Sequence, residues 1–262
     1  MNYQISVLIS TYNNERYVEK KLAEVKKQTI FDQVEFIFIE TASPEKERVL
    51  LEPFVQEHPN CKLIALDERK TLYEAWNIGW DAASAPLVCY TNMDDCMHPC
   101  LLEYVVRAMN RKPWDACSVL IAKQMLEDET WNDWSVDRVK RLPLGLRPGP
   151  FSVWRNQLKE TIGQFEGRCV VAGDKDFWAR MVAENLKLGL VKKVLYLYTK
   201  DPENQLSKSE AGQKRLREDR ELLAQRTYPI QWSYKMRWQI FFLRYLLSIF
   251  PGLITVKPPS DK

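Results

Sequence analysis

Four short apolar runs rich in β-branched residues, at 3–10, 34–39, 61–66 and 87–91, alternate with stretches whose apolar residues recur at helical spacing. Val18, Leu22 and Val25 form the first such face, Leu50, Leu51 and Phe54 the second, and Leu72, Ala75, Trp76, Gly79 and Ala83 the third. A strand covered on both faces reads as a continuous apolar run, so the alternation implies right-handed βαβ units and a mostly parallel sheet flanked by helices. Such sheets bind ligands beyond the carboxyl ends of their strands. Here those ends are STYNNE, ETAS, DERK and TNMDD, which should meet in one crevice. The second helix is expected to open on Ser43 as N-cap, with Pro44 as its first residue and Glu45 and Glu47 in its first turn.

Past the fourth run, residues 99–109 read as a helix and 118–125 as a strand, after which the alternation stops. Residues 126–150, with Trp131 and Trp134 among prolines, suit a binding wall or a packed loop. A short helix at 156–162 precedes GQFEGRCVVAGDKDFWARM, which puts Asp174 and Asp176 at a helix start, where the amide dipoles favour anions. Residues 191–198 form the last strand, and 207–226 are highly charged with a thin stripe of Leu216, Leu222 and Leu223. This reading divides the chain into an α/β domain over 1–205 and a helical C-terminal extension over 206–262. Lys235, Arg237, Arg244 and Pro251 interrupt the aromatic, apolar tail at 230–254. A bilayer span needs about 20 uninterrupted apolar residues, so the tail is expected to lie in a membrane surface or to pack on protein.

A hydrophobic fraction of 45% and a charged fraction of 28% are those of a globular protein, and a net charge of +3 points to no nucleic-acid partner. The chain begins MNYQISVL without the pattern of a secretory signal, so its six cysteines are expected as free thiols in a reducing cytosol. Glycine is absent before Gly79. Neither a dinucleotide fingerprint nor a P-loop can therefore follow the first strand, because both need glycine where backbone approaches phosphate. A sheet of this kind must bind a nucleotide through side chains and a metal.

The motifs VLISTYNNERYVEKKLAEVKKQT, VEFIFIETASPE, LYEAWNIGWDAASAPLVCYTNMDD and GQFEGRCVVAGDKDFWARM, in this order, resemble the family 2 glycosyltransferases. These are inverting enzymes of the GT-A fold, a Rossmann-like sheet, that use nucleotide-sugar donors. The resemblance implies that Thr11, Tyr12, Glu15 and Glu40 hold the nucleobase and ribose, with Asn77, Asn92 and Asp94 as further donor contacts. Asp95 would bind a divalent cation, Mn or Mg, and Asp174 would be the catalytic base. Trp154 stands near the acceptor side, as core residue or sugar platform. There are departures: Glu40 stands where the family has Asp, Thr41 and Ala42 replace Asp-Gly, Asn92 opens the DxD motif, and Trp76 replaces an Arg that Arg69 or Lys70 could substitute.

The implied activity is transfer of a sugar to a hydroxyl of a glycan or lipid-linked acceptor, in surface polysaccharide synthesis at the inner face of the cytoplasmic membrane. A carboxylate-held cation would neutralise the leaving diphosphate, and a second carboxylate would take the acceptor's proton. The rivals are a non-catalytic GT-A module that binds nucleotide sugar or glycan, and a sugar nucleotidyltransferase, which normally needs a glycine-rich loop.

Overall fold

The computed structural model describes residues 2–124, 150–199, 209–224, 226, 228–231 and 254–257. Its first half is the expected alternation: β1 (Ile5–Thr11), α1 (Glu15–Lys26), β2 (Val34–Thr41), α2 (Glu47–Glu57), β3 (Cys61–Leu66), α3 (Leu72–Ala82) and β4 (Leu87–Asn92). β1 pairs in parallel with β2 and β4, and β2 in parallel with β3. β2 is buried along its whole length, as a strand covered on both faces must be. α3 starts on a capping box in which Thr71 and Glu74 satisfy each other's backbone N–H. It lies so close to the sheet that a Cβ on Gly79 would stand 2.8 Å from Ile39 Cδ1.

The second half comprises β5 (Cys96–Met97), α4 (Leu101–Arg111), β6 (Ala116–Gln124), β7 (Ser152–Arg155), α5 (Leu158–Ile162), α6 (Gly173–Ala183), β8 (Leu188–Thr199) and α7 (Glu210–Ala224). One eight-stranded sheet results, in the order β3-β2-β1-β4-β7-β6-β8-β5. β7 is antiparallel to β4 and to β6, while β8 is parallel to β6. Two reversals cancel, so β6 and β8 run the same way as β4. The carboxyl ends of β1, β2, β3, β4, β6 and β8 therefore lie along one edge.

Alternate residues of the strands feed two apolar layers. Ile5, Val7, Ile9, Phe36 and Phe38 pack with α1, α2 and α4 residues such as Val18, Leu51 and Leu102. Leu8, Ile37, Ile39, Val88 and Tyr90 pack with α3, α6 and Leu223 of α7. The second layer is unusually aromatic: Trp76 stacks on Tyr90 at 3.9 Å between centroids, Phe165 packs edge to face against both, and Trp80, Trp154 and Phe177 pack edge to face with one another beside them.

Two expectations change. α2 begins at Glu47 rather than at Pro44, because Ser43 and Glu45 bond across to the neighbouring turn: Ser43 Oγ accepts from Asn13 N–H at 3.1 Å, and the Glu45 carboxylate accepts from Glu15 N–H at 2.9 Å. The C-terminal extension, expected to be helical, contains strands as well: β9 (Tyr228–Gln231) and β10 (Ile254–Lys257) form a parallel pair. The aromatic and basic residues between them, and the stretch with Trp131 and Trp134, lie outside the described residues. Among the described residues no helix is long and apolar enough to cross a membrane. All six cysteines are free, and burial pushes the thiols of Cys61, Cys96, Cys117 and Cys169 up to about 12, which leaves them unreactive.

Candidate active site

The pair Asp94 and Asp95 follows the carboxyl end of β4, and the two residues differ in environment. Asp95 is buried, and its carboxylate is gripped from two directions. Oδ1 accepts from the Thr199 N–H at the end of β8 (2.8 Å); Oδ2 accepts from the Asn92 amide (2.7 Å) and the Tyr196 hydroxyl (2.9 Å). Burial, with the charge of Asp94 beside it, pushes the Asp95 carboxyl well above the usual aspartate range, while the Thr199 and Asn92 donors and the charge of Lys21 pull the other way. Asp94 is half-buried.

Beneath this turn lies a feature that sequence reasoning missed. Lys21 of α1 is buried; its Nζ donates to the Asp95 carbonyl at 2.6 Å and to Glu24 Oε1 at 3.0 Å, and Glu24 accepts the Met97 N–H at 2.8 Å. An i,i+3 ion pair on the first helix thus braces both sides of the acidic turn. Nothing in the sequence marks it, since its partners lie some seventy positions away.

The turns after β1, β2 and β3 meet beside that pair. Register places Thr11 opposite Glu40 and Ser10 opposite Asn92. Thr11 Oγ1 contacts Glu47 Oε1 at 3.3 Å, and the same oxygen accepts the Asn14 N–H at 2.8 Å. Glu15, whose N–H donates to Glu45, in turn accepts the Lys46 N–H on its carboxylate at 3.1 Å. The buried Glu40 carboxylate accepts the Ser43 N–H and closes its own turn. Tyr12 is half-buried, with the Arg69 guanidinium 4.1 Å over its ring, so the third turn reaches the first.

Asp174 lies in the first turn of α6. Its Oδ1 accepts the Tyr73 hydroxyl at 3.2 Å, and Tyr73 belongs to the first turn of α3, which leaves the carboxyl end of β3. That contact puts Asp174 on the same edge of the sheet as Asp94 and Asp95. Burial raises the Asp174 carboxyl above its ordinary range, with Lys175 and Tyr73 opposing. It retains 8% exposure, whereas Asp176 has none and is ion-paired to Arg180 at 2.9 Å and Arg226 at 3.3 Å. Asp176 is thus held as a structural carboxylate, whereas Asp174 has no ion-pair partner among the described residues and keeps a small exposed remnant. Gly173 is required by the same contact: a Cβ there would lie 2.7 Å from the Tyr73 ring.

Two other candidates are engaged in bracing. The Asn77 side chain bridges both backbone groups of Phe165, at 2.9 and 3.0 Å, and ties α3 to the segment before α6. Trp154 has no exposed surface and packs edge to face with Trp80 and Phe177, so it is core, and a sugar ring has no face of it to stack on. Trp76, in the position of the missing Arg, is likewise core.

The residues fit a divalent cation. Asp95 is kept beside Asp94 at a strand end where burial and the neighbouring charge oppose its ionisation, a cost a cation would remove. Thr199 Oγ1, buried at the same place, has no hydrogen-bond partner among the described residues. No three acidic, His or Cys side chains gather there as a complete protein cage among the described residues. Such a donor set suits a metal that takes its other ligands from phosphate oxygens.

The sequence model of glycosyl transferase family 2 matches residues 6–172, ending just short of Asp174. The chain is 24% identical over 208 residues to the minor teichoic acid biosynthesis protein GgaB of Bacillus subtilis strain 168, covering 75% of this chain and 23% of that protein. It is 27% identical over 103 residues to an uncharacterized glycosyltransferase of Nostoc sp. strain PCC 7120, covering 39% of this chain and 32% of the relative. The chain thus spans about a third or less of these relatives' length. Among solved structures, S. aureus TarS 1–349 in complex with UDP-GlcNAc superposes with a TM-score of 0.69 at 17% identity, over 94% of this chain and 73% of that one. The mannosyltransferase PcManGT from Pyrobaculum calidifontis in complex with GDP-Man and Mn2+ does so with a TM-score of 0.58 at 16% identity, over 85% and 63%. Both likenesses are of fold.

Proposed function

Because this chain belongs to glycosyl transferase family 2, we propose that it moves a sugar, with inversion, from a nucleotide-sugar donor to a hydroxyl of a glycan or lipid-linked acceptor in cell-surface polysaccharide synthesis. The observation that carries the reading is the placement of a buried, raised-pKa carboxylate, Asp174, on the same sheet edge as the Asp94–Asp95 pair. That TarS is seen with UDP-GlcNAc and PcManGT with GDP-Man and Mn2+ supports a nucleoside diphosphate sugar as donor and a divalent cation as cofactor. The likeness to a minor teichoic acid biosynthesis protein supports an acceptor in the synthesis of a cell-surface polymer.

In this reading the turns carrying Thr11, Tyr12, Glu15 and Glu40 receive the base and ribose, and Arg69, stacked on Tyr12, brings positive charge toward the phosphates. Asp95 would hold the cation, whose chemistry is to neutralise the charge that develops on the leaving diphosphate, with Asp94 beside it as a donor contact. Asp174 takes the proton of the acceptor hydroxyl as its oxygen attacks the anomeric carbon from the face opposite the diphosphate. The new carbon–oxygen bond forms as the bond to phosphate oxygen breaks, and the nucleoside diphosphate departs with that electron pair. Tyr73 holds the base in place by its hydroxyl, and a raised pKa suits a group that must accept a proton near neutrality.

A panel of nucleotide sugars, each with Mn or Mg, tests the reading by thermal shift, because a ligand bound by the folded state alone raises its melting temperature. One or a few donors should stabilise the protein only with metal, and Asp95→Ala should abolish the metal-dependent part. If no nucleotide sugar binds, or binding ignores the metal, the proposal fails.

A further inference from the structure

We propose that Asp219, on α7 and beyond the segment matched by the family, is a positioning residue for the base Asp174. The inference rests on the glycosyl-transfer reading of that site. Asp219 is 3% exposed, and its carboxylate accepts from three successive backbone N–H groups just before α6. Oδ2 accepts from Val171 at 2.7 Å and Ala172 at 2.8 Å, and the Val170 N–H is shared between Oδ1 at 3.0 Å and Oδ2 at 3.2 Å. Consecutive N–H groups converging on one anion form a concave cradle. Here a helix from elsewhere in the chain fills it with its own carboxylate.

The placement bears on catalysis because the cradle runs directly into the helix that carries the base. Ala172 is the N-cap of α6, Gly173 its first residue and Asp174 its second, so the cradle fixes where that helix starts. α6 has no side-chain cap of its own at Ala172, and Asp219 supplies the missing acceptor from α7. α7 is itself fixed: Leu223, one turn beyond Asp219, is fully buried in the aromatic layer with Trp80 and Phe177. A second tie runs the same way, since Arg226 pairs with Asp176 of α6 and with Glu166 in the preceding loop. On the other side Tyr73 of α3 holds Asp174 directly. The base is thus held between a helix of the sheet domain and one of the extension.

The test uses the full chain and three variants, Asp219→Ala, Asp219→Asn and Asp219→Glu, with the exposed Glu221→Ala on the same helix as control. Amide hydrogen exchange at residues 170–172, which needs no substrate, should quicken by at least about 10-fold in Asp219→Ala. With the donor that binds in the thermal-shift panel, kcat should fall about 10- to 100-fold, as expected for a misplaced catalytic group. KM for that donor should stay within about 2-fold. Asp219→Asn should lie between, Asp219→Glu should recover part of kcat, and Glu221→Ala should match the unsubstituted chain. Faster exchange with unchanged kcat, or a loss expressed in KM alone, would overturn the positioning role. Should the unsubstituted chain turn over no donor, the reading of the site falls, while the exchange result still decides whether Asp219 anchors the turn.

Discussion

Ala42 adopts φ +52° in the turn after β2, a left-handed conformation that costs a side-chain-bearing residue about 1–2 kcal/mol. The sequence resemblance placed a glycine of the family at this position, and the backbone supplies the reason. Ala42→Gly should raise stability by up to about 1 kcal/mol, after the entropy glycine adds to the unfolded chain is subtracted. Urea unfolding measures it, and a loss of stability would show that the alanine methyl is packed rather than strained. At this scale the sequence revealed residue type but not direction. Of Asp174 and Asp176, two positions apart on a helix start, the resemblance singles out Asp174 as the base, but the string does not show what holds Asp176. Asp176 is held by Arg180, one turn along the helix, and by Arg226, fifty positions later.

Among the elements, α1 shows how a helix can serve a site it does not visibly touch. Its apolar face was legible from Val18, Leu22 and Val25, of which Val18 and Val25 are fully buried. Lys21 and Glu24 were illegible because their targets, the carbonyl of Asp95 and the N–H of Met97, belong to the turn after β4. Removing one member of a buried pair leaves an uncompensated charge, so Lys21→Met should cost about 3–5 kcal/mol, with part of that loss recovered in the double variant Lys21→Met/Glu24→Gln. Equal losses in the single and double variants, measured by urea unfolding, would mean that the pair does not act as a unit. The same limit applies to α7. Its stripe of leucines could be read, yet the buried Asp219 looked like one more charge in a solvated run.

For the whole molecule, the first four strands and three helices followed from patterning, since buried parallel strands advertise themselves as apolar runs. The carboxyl ends of those strands do assemble along one edge. The second half was harder to read because β7 enters antiparallel between β4 and β6, a pairing set by topology rather than by any local signal. Its consequence is functional: β8 is brought round so that the Thr199 N–H and the Tyr196 hydroxyl close on Asp95. The central claim is that this edge carries a base in Asp174, apart from the acidic pair that serves the leaving group. A base must be unprotonated to act, and burial raises the Asp174 pKa, so turnover should fall with decreasing pH along a limb lying above the ordinary aspartate value of about 3.9.

The most direct measurement is the turnover of Asp174→Asn with the donor that the unsubstituted chain binds. It should keep nucleotide affinity, lose about 10²- to 10⁴-fold in kcat and lose the acid limb with it. An Asp174→Asn variant that turns over at the unsubstituted rate, with the limb intact, would contradict the claim.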